Sequence, residues 1–422
     1  MKKKETKKNK NKKSSYGIIK KTINNYVHRN DEKTSFSVLE VIIIMIISIL
    51  FGVIVGYLIN YSRSNINKDS NLSKIITTYN DINNNYYGEI DKEKVSDAAV
   101  KSMVEALNDP YSNYISQEEA SDFNDSIDGS FVGIGIEITD GVDYTTVIKV
   151  FENSPADKSG IKVNDQIIKV NGNSVKGLPG AEIAKLVRGK KKTKVTVTVL
   201  REEKEIDIDL IRDTVDLESV FSNIIETDGK KIGYINITSV AANTYSQFYK
   251  ALKALESKKI DSLIIDVRDN PGGHLQQTKQ ILSLFFNSKT VLYQIKSNKN
   301  IEKAYSYSKE TRKYPIAVLI NGGSASASEI IASCFKENYK DALIIGTTTY
   351  GKGTVQKTQT FSNGTTIKYT TEKWLTSKGK DIDKKGVTPT VEVVQSEEYY
   401  ANPIEENDLI LKEALNRLKE SN

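Results

Sequence analysis

Residues 316–337 read IAVLINGGSASASEIIASCFKE. Ile316 to Ile320 is an unbroken apolar run of strand length, Asn321-Gly322-Gly323 interrupts it, and apolar side chains at helical spacing follow from Glu329 to Glu337. A strand apolar at every position suits a parallel sheet covered on both faces. Ser326-x-x-Glu329 has the pattern of a capping box and marks where the helix begins. A serine at a helix start is flanked by backbone N–H groups without helical acceptors, so the Ala327 N–H can stabilise an oxyanion beside it.

The same alternation recurs to either side. Ser262 to Val267 reads as a second buried strand followed by a helix from Gln276 to Phe286, and Ala342 to Ile345 as a third strand, so an α/β unit with a partly parallel sheet is expected from about residue 213 onward. Active sites form in loops at the carboxyl ends of such strands. Three glycine-bearing turns fall there: Asp269-Asn270-Pro271-Gly272-Gly273-His274, Asn321 to Glu329, and Thr349-Tyr350-Gly351-Lys352-Gly353-Thr354-Val355-Gln356.

Composition narrows the chemistry. Cys334 is the single cysteine, which excludes an intrachain disulfide and a Cys-based zinc site. The two histidines are His28 and His274, so a Ser-His-Asp triad would have to use His274. No metal or cofactor is expected. Gly346 to Lys352 spells G-x-x-x-x-G-K, but Gly353 stands where a phosphate-binding loop needs Ser or Thr. Ser333-x-x-Lys336 fits the S-x-x-K of β-lactam enzymes, yet it lies within the apolar-periodic helix and has no S-D-N or K-T-G companion. After Gly351, the strand period of two puts Lys352, Thr354 and Gln356 on one face. Lys352 is therefore either a solvated turn lysine or a base made neutral by an apolar pocket, with Gln356 orienting its amine.

Upstream, Phe131 to Thr139, Thr145 to Val150, Gln166 to Val170 and Thr193 to Leu200 are β-branched runs bounded by Gly, Asn and Asp. Gly133-Ile134-Gly135-Ile136, Ser154 to Ile161, Asn164 to Gly172 and Leu186-Val187-Arg188-Gly189 together resemble a PDZ domain over roughly 115–212, with Lys192 where a glycine is usual. The chemistry fits the resemblance: two glycines let successive N–H groups converge on a peptide's terminal carboxylate, and the following strand adds the peptide as another strand. Arg188 is a candidate gate, able to read that carboxylate or to pair with the neighbouring domain.

With Asp266 to Gly273, Asn321 to Glu329 and Gly351 to Gln356 behind that domain, the chain resembles the C-terminal processing (tail-specific) peptidases over about 70–395. The resemblance implies a crotonase/ClpP-like α/β core with an inserted PDZ domain, Ser326 as nucleophile, Lys352 as general base, Gln356 supporting the lysine, and an oxyanion hole from the backbones of Ala327, Gly272 and Gly273. The interval from Ser326 to Lys352 is one residue longer than usual around Asn338 to Asp341, Thr390 follows Pro389 where the family has Asp, and Glu337, sometimes cited as a third member, is expected to be solvated. Residues 287–315 fit a cap between the active-site turns. The internal rival is His274 as base. The rival from another class is a non-catalytic scaffold holding C-terminal tails at a membrane.

The chain of 422 residues carries +6, but residues 1–40 alone hold +8, leaving −2 for the rest. That distribution argues against nucleic acid as a partner. From Val41 to Ile59 there are nineteen residues without a charge, enough to cross about 30 Å of hydrocarbon. With no small-residue cleavage site after it and lysines before it, this predicts an uncleaved single span in the plasma membrane, the N-terminus cytoplasmic and the catalytic part outside. The expected order is a basic tail 1–37, an anchor 38–60, a helical region 72–114, the PDZ domain 115–212, the protease core 213–395 and a C-terminal helix 396–422. Expected partners are proteins or peptides with free C-termini and the membrane. Leu409, Leu411, Leu415 and Leu418 form an apolar face that packs internally or makes a homo-oligomer, and spacing alone does not choose.

Overall fold

Burial in the central sheet follows the strand period. Ile235, Ile237, Leu263, Ile265, Ile316, Val318 and Ile344 pack into one layer, and Ile232, Ile264, Ala317, Leu319 and Ile345 into the opposite one. Both faces need covering, which is why the strands Ser262–Asp266 and Ile316–Ile320 are buried at every position. The helices Thr244–Ser257, Leu275–Ser283 and Ala327–Asn338 contribute to the first layer. The helix Leu409–Glu420 closes the second through Ile410, Leu411, Ala414 and Leu418. Of the four leucines predicted for its apolar face, Leu411 and Leu418 are buried in that layer and Leu415 packs partly against it, while Leu409 is exposed.

The computed structural model describes residues 38–66, 70–309 and 311–420. They form two units divided between Ala98 and Ala99. The first contains the helix Val38–Ile66, whose 20-residue window Leu39–Leu58 is long and apolar enough to cross a membrane and is not buried in the structure. It also contains the helix Ser70–Asn85. The expected basic tail, 1–37, lies outside the described residues.

In the second unit the six-stranded sheet runs in the order Val220–Thr227, Lys230–Ile237, Ser262–Asp266, Ile316–Ile320, Leu343–Gly346, Val391–Glu392. The first pair is antiparallel and the rest parallel. Parallel pairing brings the carboxyl ends of three central strands to one edge, where the glycine turns begin. A second sheet contains Thr354–Thr360, Thr366–Leu375, Val291–Lys296, Ile301–Tyr305 and, from far upstream, Asn113–Ile115. The end of the stretch read as helical is therefore a strand, paired antiparallel with Thr366–Leu375. Residues 291–305 are likewise strands of this sheet, with Leu292 and Tyr293 buried in the main core.

The β-rich domain has a core of its own, including Ile134, Val147, Ile167, Ile183, Val197 and Leu210. Because Asn113–Ile115 precedes it and pairs with a strand of the protease part, the domain is topologically inserted. Lys192 takes φ +67°, so the turn keeps its left-handed shape although a lysine replaces the usual glycine.

Candidate active site

Three serines stand close together in the turn after Ile320, and their surroundings differ. Ser324 is buried and donates to the carbonyl of Val267 at 2.8 Å; Ser328 is buried and donates to that of Asn270 at 2.9 Å. Ser326 instead lines a cavity of about 610 Å³ with Lys352 and Gln356. Its backbone sits at φ +54°, ψ −110°, a conformation that costs a non-glycine residue about 1–3 kcal/mol. Here that turn presents the serine at the start of the helix Ala327–Asn338.

Glu329 holds the strained turn. It is fully buried; its Oε2 accepts from the N–H of Ser326 at 2.7 Å and of Lys352 at 2.9 Å, and its Oε1 accepts from Gly351 N–H at 2.7 Å and Thr349 Oγ1 at 2.6 Å. One carboxylate thus ties the serine turn to the lysine turn. The sequence assigns Glu329 only its local capping role, since nothing in the spacing S-x-x-E reveals three donors twenty or more positions away. On the other side of Lys352, the buried Trp374 donates its indole N–H to the Lys352 carbonyl at 2.7 Å. The lysine's backbone is therefore held at both its N–H and its C=O.

The Lys352 amine lies 5.0 Å from the centroid of the Tyr111 ring. Burial lowers its pKa below the ordinary lysine value and nearby Lys368 adds to that effect, while Glu329 and Asp109 pull the other way without reversing it. Lys352, Thr354, Gln356 and Thr358 line the cavity, and so does Val355, because the pairing with Thr366–Leu375 shifts register between Val355 and Gln356 and interrupts the period of two. Gln356 gives its amide N–H groups to Thr354 Oγ1 at 2.9 Å and Thr370 Oγ1 at 3.0 Å.

At the opposite wall, Gly272 lies against the serine turn: a Cβ there would come within 2.8 Å of Ser326 Cβ and 2.9 Å of Ala327 N. The Gly272 N–H donates to Asn270 Oδ1 at 2.8 Å, so it is already used within the turn. Of the expected oxyanion donors this leaves Ala327, at the helix start, and Gly273. Gly273 cannot carry a side chain, because a Cβ would stand 2.0 Å from the Val240 carbonyl. His274 also lines the cavity, but its Nε2 faces the Ile127 carbonyl at 3.1 Å. A carbonyl only accepts, so Nε2 is engaged as a donor in that contact, which leaves Nδ1 as the only ring nitrogen that could accept a proton. Glu337 lies away from these groups and is not solvated as expected: its side chain is 8% exposed and accepts from Ser377 Oγ at 2.7 Å and Lys378 N–H at 2.9 Å.

In the β-rich domain, Gly133, Ile134, Gly135 and Ile136 line a separate groove of about 500 Å³ with Arg188 at its edge. Arg188 pairs with Asp122 at 2.6 Å and approaches Asp125 at 3.8 Å, both on the helix Gln117–Asp128. That helix faces both cavities, Asp122 and Asp125 toward the groove and Phe123 and Ile127 toward Ser326.

Family models match in three consecutive stretches: the CtpB-type activating protease N-terminal domain over 58–119, a PDZ domain over 132–211, and peptidase family S41 over 231–393. The chain is 39% identical over 343 residues to carboxy-terminal processing protease CtpB of Bacillus subtilis (strain 168), covering 80% of this chain and 71% of that protein. It is 40% identical over 327 residues to CtpA of the same organism, covering 76% and 69%. Among solved structures it is similar to a photosystem II D1 C-terminal processing protease, at 26% identity and TM-score 0.46, covering 78% of this chain and 88% of that one. The molecule is a serine-type peptidase with a PDZ domain. It belongs to the carboxy-terminal processing proteases of peptidase family S41.

Proposed function

We propose that this peptidase is anchored in the plasma membrane by residues 38–60, captures protein C-terminal tails in the Gly133–Ile136 groove, and cleaves them outside the cell with Ser326 and Lys352. The observation that carries the mechanism is that Ser326, unlike Ser324 and Ser328, opens onto the cavity lined by an amine whose pKa is lowered by burial. The Ser326 Oγ attacks the scissile carbonyl and its proton passes to the neutral Lys352 amine as the new C–O bond forms. The N–H groups of Ala327 and Gly273 hold the oxyanion. Collapse breaks the C–N bond, and Lys352 returns the proton to the departing amine. Water then resolves the acyl-enzyme, again giving its proton to Lys352, and the serine is regenerated. Gln356 supports the lysine, and Arg188 couples tail binding to cleavage by exchanging Asp122 for the tail's carboxylate.

The base must be neutral, so cleavage should fall as pH drops through the Lys352 pKa. Casein or tail-peptide assays on the full chain should show no cleavage by Ser326→Ala or Lys352→Ala and retained cleavage by His274→Ala; full activity in Lys352→Ala would refute the mechanism. The activity should sediment with membranes through a high-salt wash. Release by salt alone would contradict the anchor.

A further inference from the structure

Asn108-Asp109-Pro110 is a sequence that stops a helix, and the chemistry of the segment Asn108 to Ser112 emerges only where it lands. It docks on the strand Thr366–Leu375, directly behind Lys352 and Gln356. Two contacts matter. The Tyr111 ring faces the Lys352 amine at 5.0 Å. Asp109 Oδ2 accepts from Thr370 Oγ1 at 2.6 Å and from Ser112 Oγ at 2.5 Å, and Oδ1 accepts from Tyr111 N–H at 3.2 Å. Ser112 Oγ in turn accepts from Thr370 N–H at 3.1 Å.

Proton counting gives this chain a direction. A carboxylate only accepts, so Thr370 must spend its one hydroxyl hydrogen on Asp109. Its oxygen can then only accept from Gln356, which puts the amide Nε2 toward Thr370, as the 3.0 Å contact requires, and leaves Gln356 Oε1 as the atom that can receive an N–H from the Lys352 amine. Burial pushes the Asp109 carboxyl up, but the hydrogen bonds from Ser112, Thr370 and Tyr111 outweigh it and hold it below its usual range, so it stays an acceptor at working pH. The Tyr111 phenol, raised to about 12 by burial and by Tyr350, stays neutral.

Resting on the Ser326/Lys352 reading, we propose that Tyr111 and Asp109 are positioning residues of the catalytic base: Tyr111 is the wall that keeps water from the Lys352 amine, and Asp109, through Thr370, orients Gln356 so that its carbonyl serves that amine. The charged groups around this amine are Lys368 on the adjoining strand, Glu329 on the serine helix and Asp109 itself, while Tyr350 and Asp383 act on Tyr111. Ring and water act in opposite directions on the amine. The ring face attracts the ammonium, whereas excluding water favours the neutral amine. Burial leads the causes at Lys352, so exclusion wins.

The test is the pH dependence of kcat and KM for tail-peptide cleavage by the full chain. Tyr111→Ala should move the acid limb of kcat to higher pH by roughly half to one unit, and Tyr111→Phe should keep its midpoint. Asp109→Asn, which can donate to Thr370 and reverse the chain, should lower kcat about tenfold or more with KM within about twofold, the pattern of an interaction used in the transition state. If Tyr111→Ala does not fold, Tyr111→Ser, which also removes the bulk and admits water, should move the midpoint the same way. A wild-type midpoint in Tyr111→Ala or Tyr111→Ser together with wild-type kcat in Asp109→Asn overturns the inference while Lys352→Ala remains inactive. An active Lys352→Ala enzyme overturns the underlying reading as well.

Discussion

Glu329 shows how much one side chain can organise. Four donors from two separate turns converge on it in a site without solvent exposure, so each of its oxygens is committed twice. Glutamine in its place keeps the shape but offers one acceptor oxygen, leaving an N–H2 aimed at two donors. Hydrogen bonds to charged groups contribute about 1.5–3 kcal/mol each, and unsatisfied buried donors cost more than neutral replacement. Glu329→Gln should therefore destabilise the protein by about 2–3 kcal/mol in denaturant titration and depress kcat, because the Ser326 turn and the Lys352 turn lose their shared tether. An unchanged denaturation midpoint would contradict this account. The signal in the sequence, S-x-x-E, was visible, but only its local half.

At the scale of elements, the C-terminal helix is fastened to the strand that leads into the Gly272-Gly273 turn. Arg268 follows Ser262–Asp266 and is 9% exposed; it binds Asp266 at 2.6 Å and Asp408, just before the helix Leu409–Glu420, at 2.8 Å. Asp408 also accepts the Leu411 N–H at 2.9 Å and so caps that helix. Burial pushes the Asp408 carboxyl up, but Arg268, the Leu411 N–H and Gln395 together hold it below its usual range. A folded-state pKa below the unfolded value contributes stability that is present above about pH 4 and is lost as pH falls toward the folded pKa. Asp408→Asn should thus be less stable than the wild type at neutral pH, by about 3 kcal/mol if the pair behaves as a broken buried salt bridge, and the difference in melting midpoint should shrink below pH 4. A gap that is constant with pH would show that the charge is not responsible.

For the molecule as a whole, the helix Gln117–Asp128 lines both the Gly133–Ile136 groove and the Ser326 cavity, so under the proposed function it is the element that would connect tail capture with cleavage. Its acidic side chains hold Arg188 beside the Gly133–Ile136 groove, and its apolar side chains Phe123 and Ile127 line the cavity that Ser326 faces. The Arg188–Asp122 pair is substantially exposed, and such pairs contribute only about 0–1 kcal/mol, so a tail carboxylate can exchange for it at little cost. Arg188→Ala should change the stimulation of cleavage by added tail peptide while leaving the fold's melting midpoint within about a degree or two. Unaltered stimulation would remove Arg188 from the coupling.

Local physics written along the chain determined much: the apolar strands, the glycine turns at their ends, the 20-residue apolar helix and the two-glycine groove follow from periodicity and from residues with special backbone freedom. That Ser324 and Ser328 turn into buried hydrogen bonds while Ser326 faces the cavity, that Glu329 joins two turns, that Glu337 is buried in another network, and that Tyr111 and Asp109 stand beside Lys352 and Thr370 were decided only by tertiary structure. Hydrogen-bond partners of buried polar groups are chosen by which strands pair in space. Asp109 meets Thr370 across 261 positions because Asn113–Ile115 pairs with Thr366–Leu375, a long-range choice that no local pattern encodes.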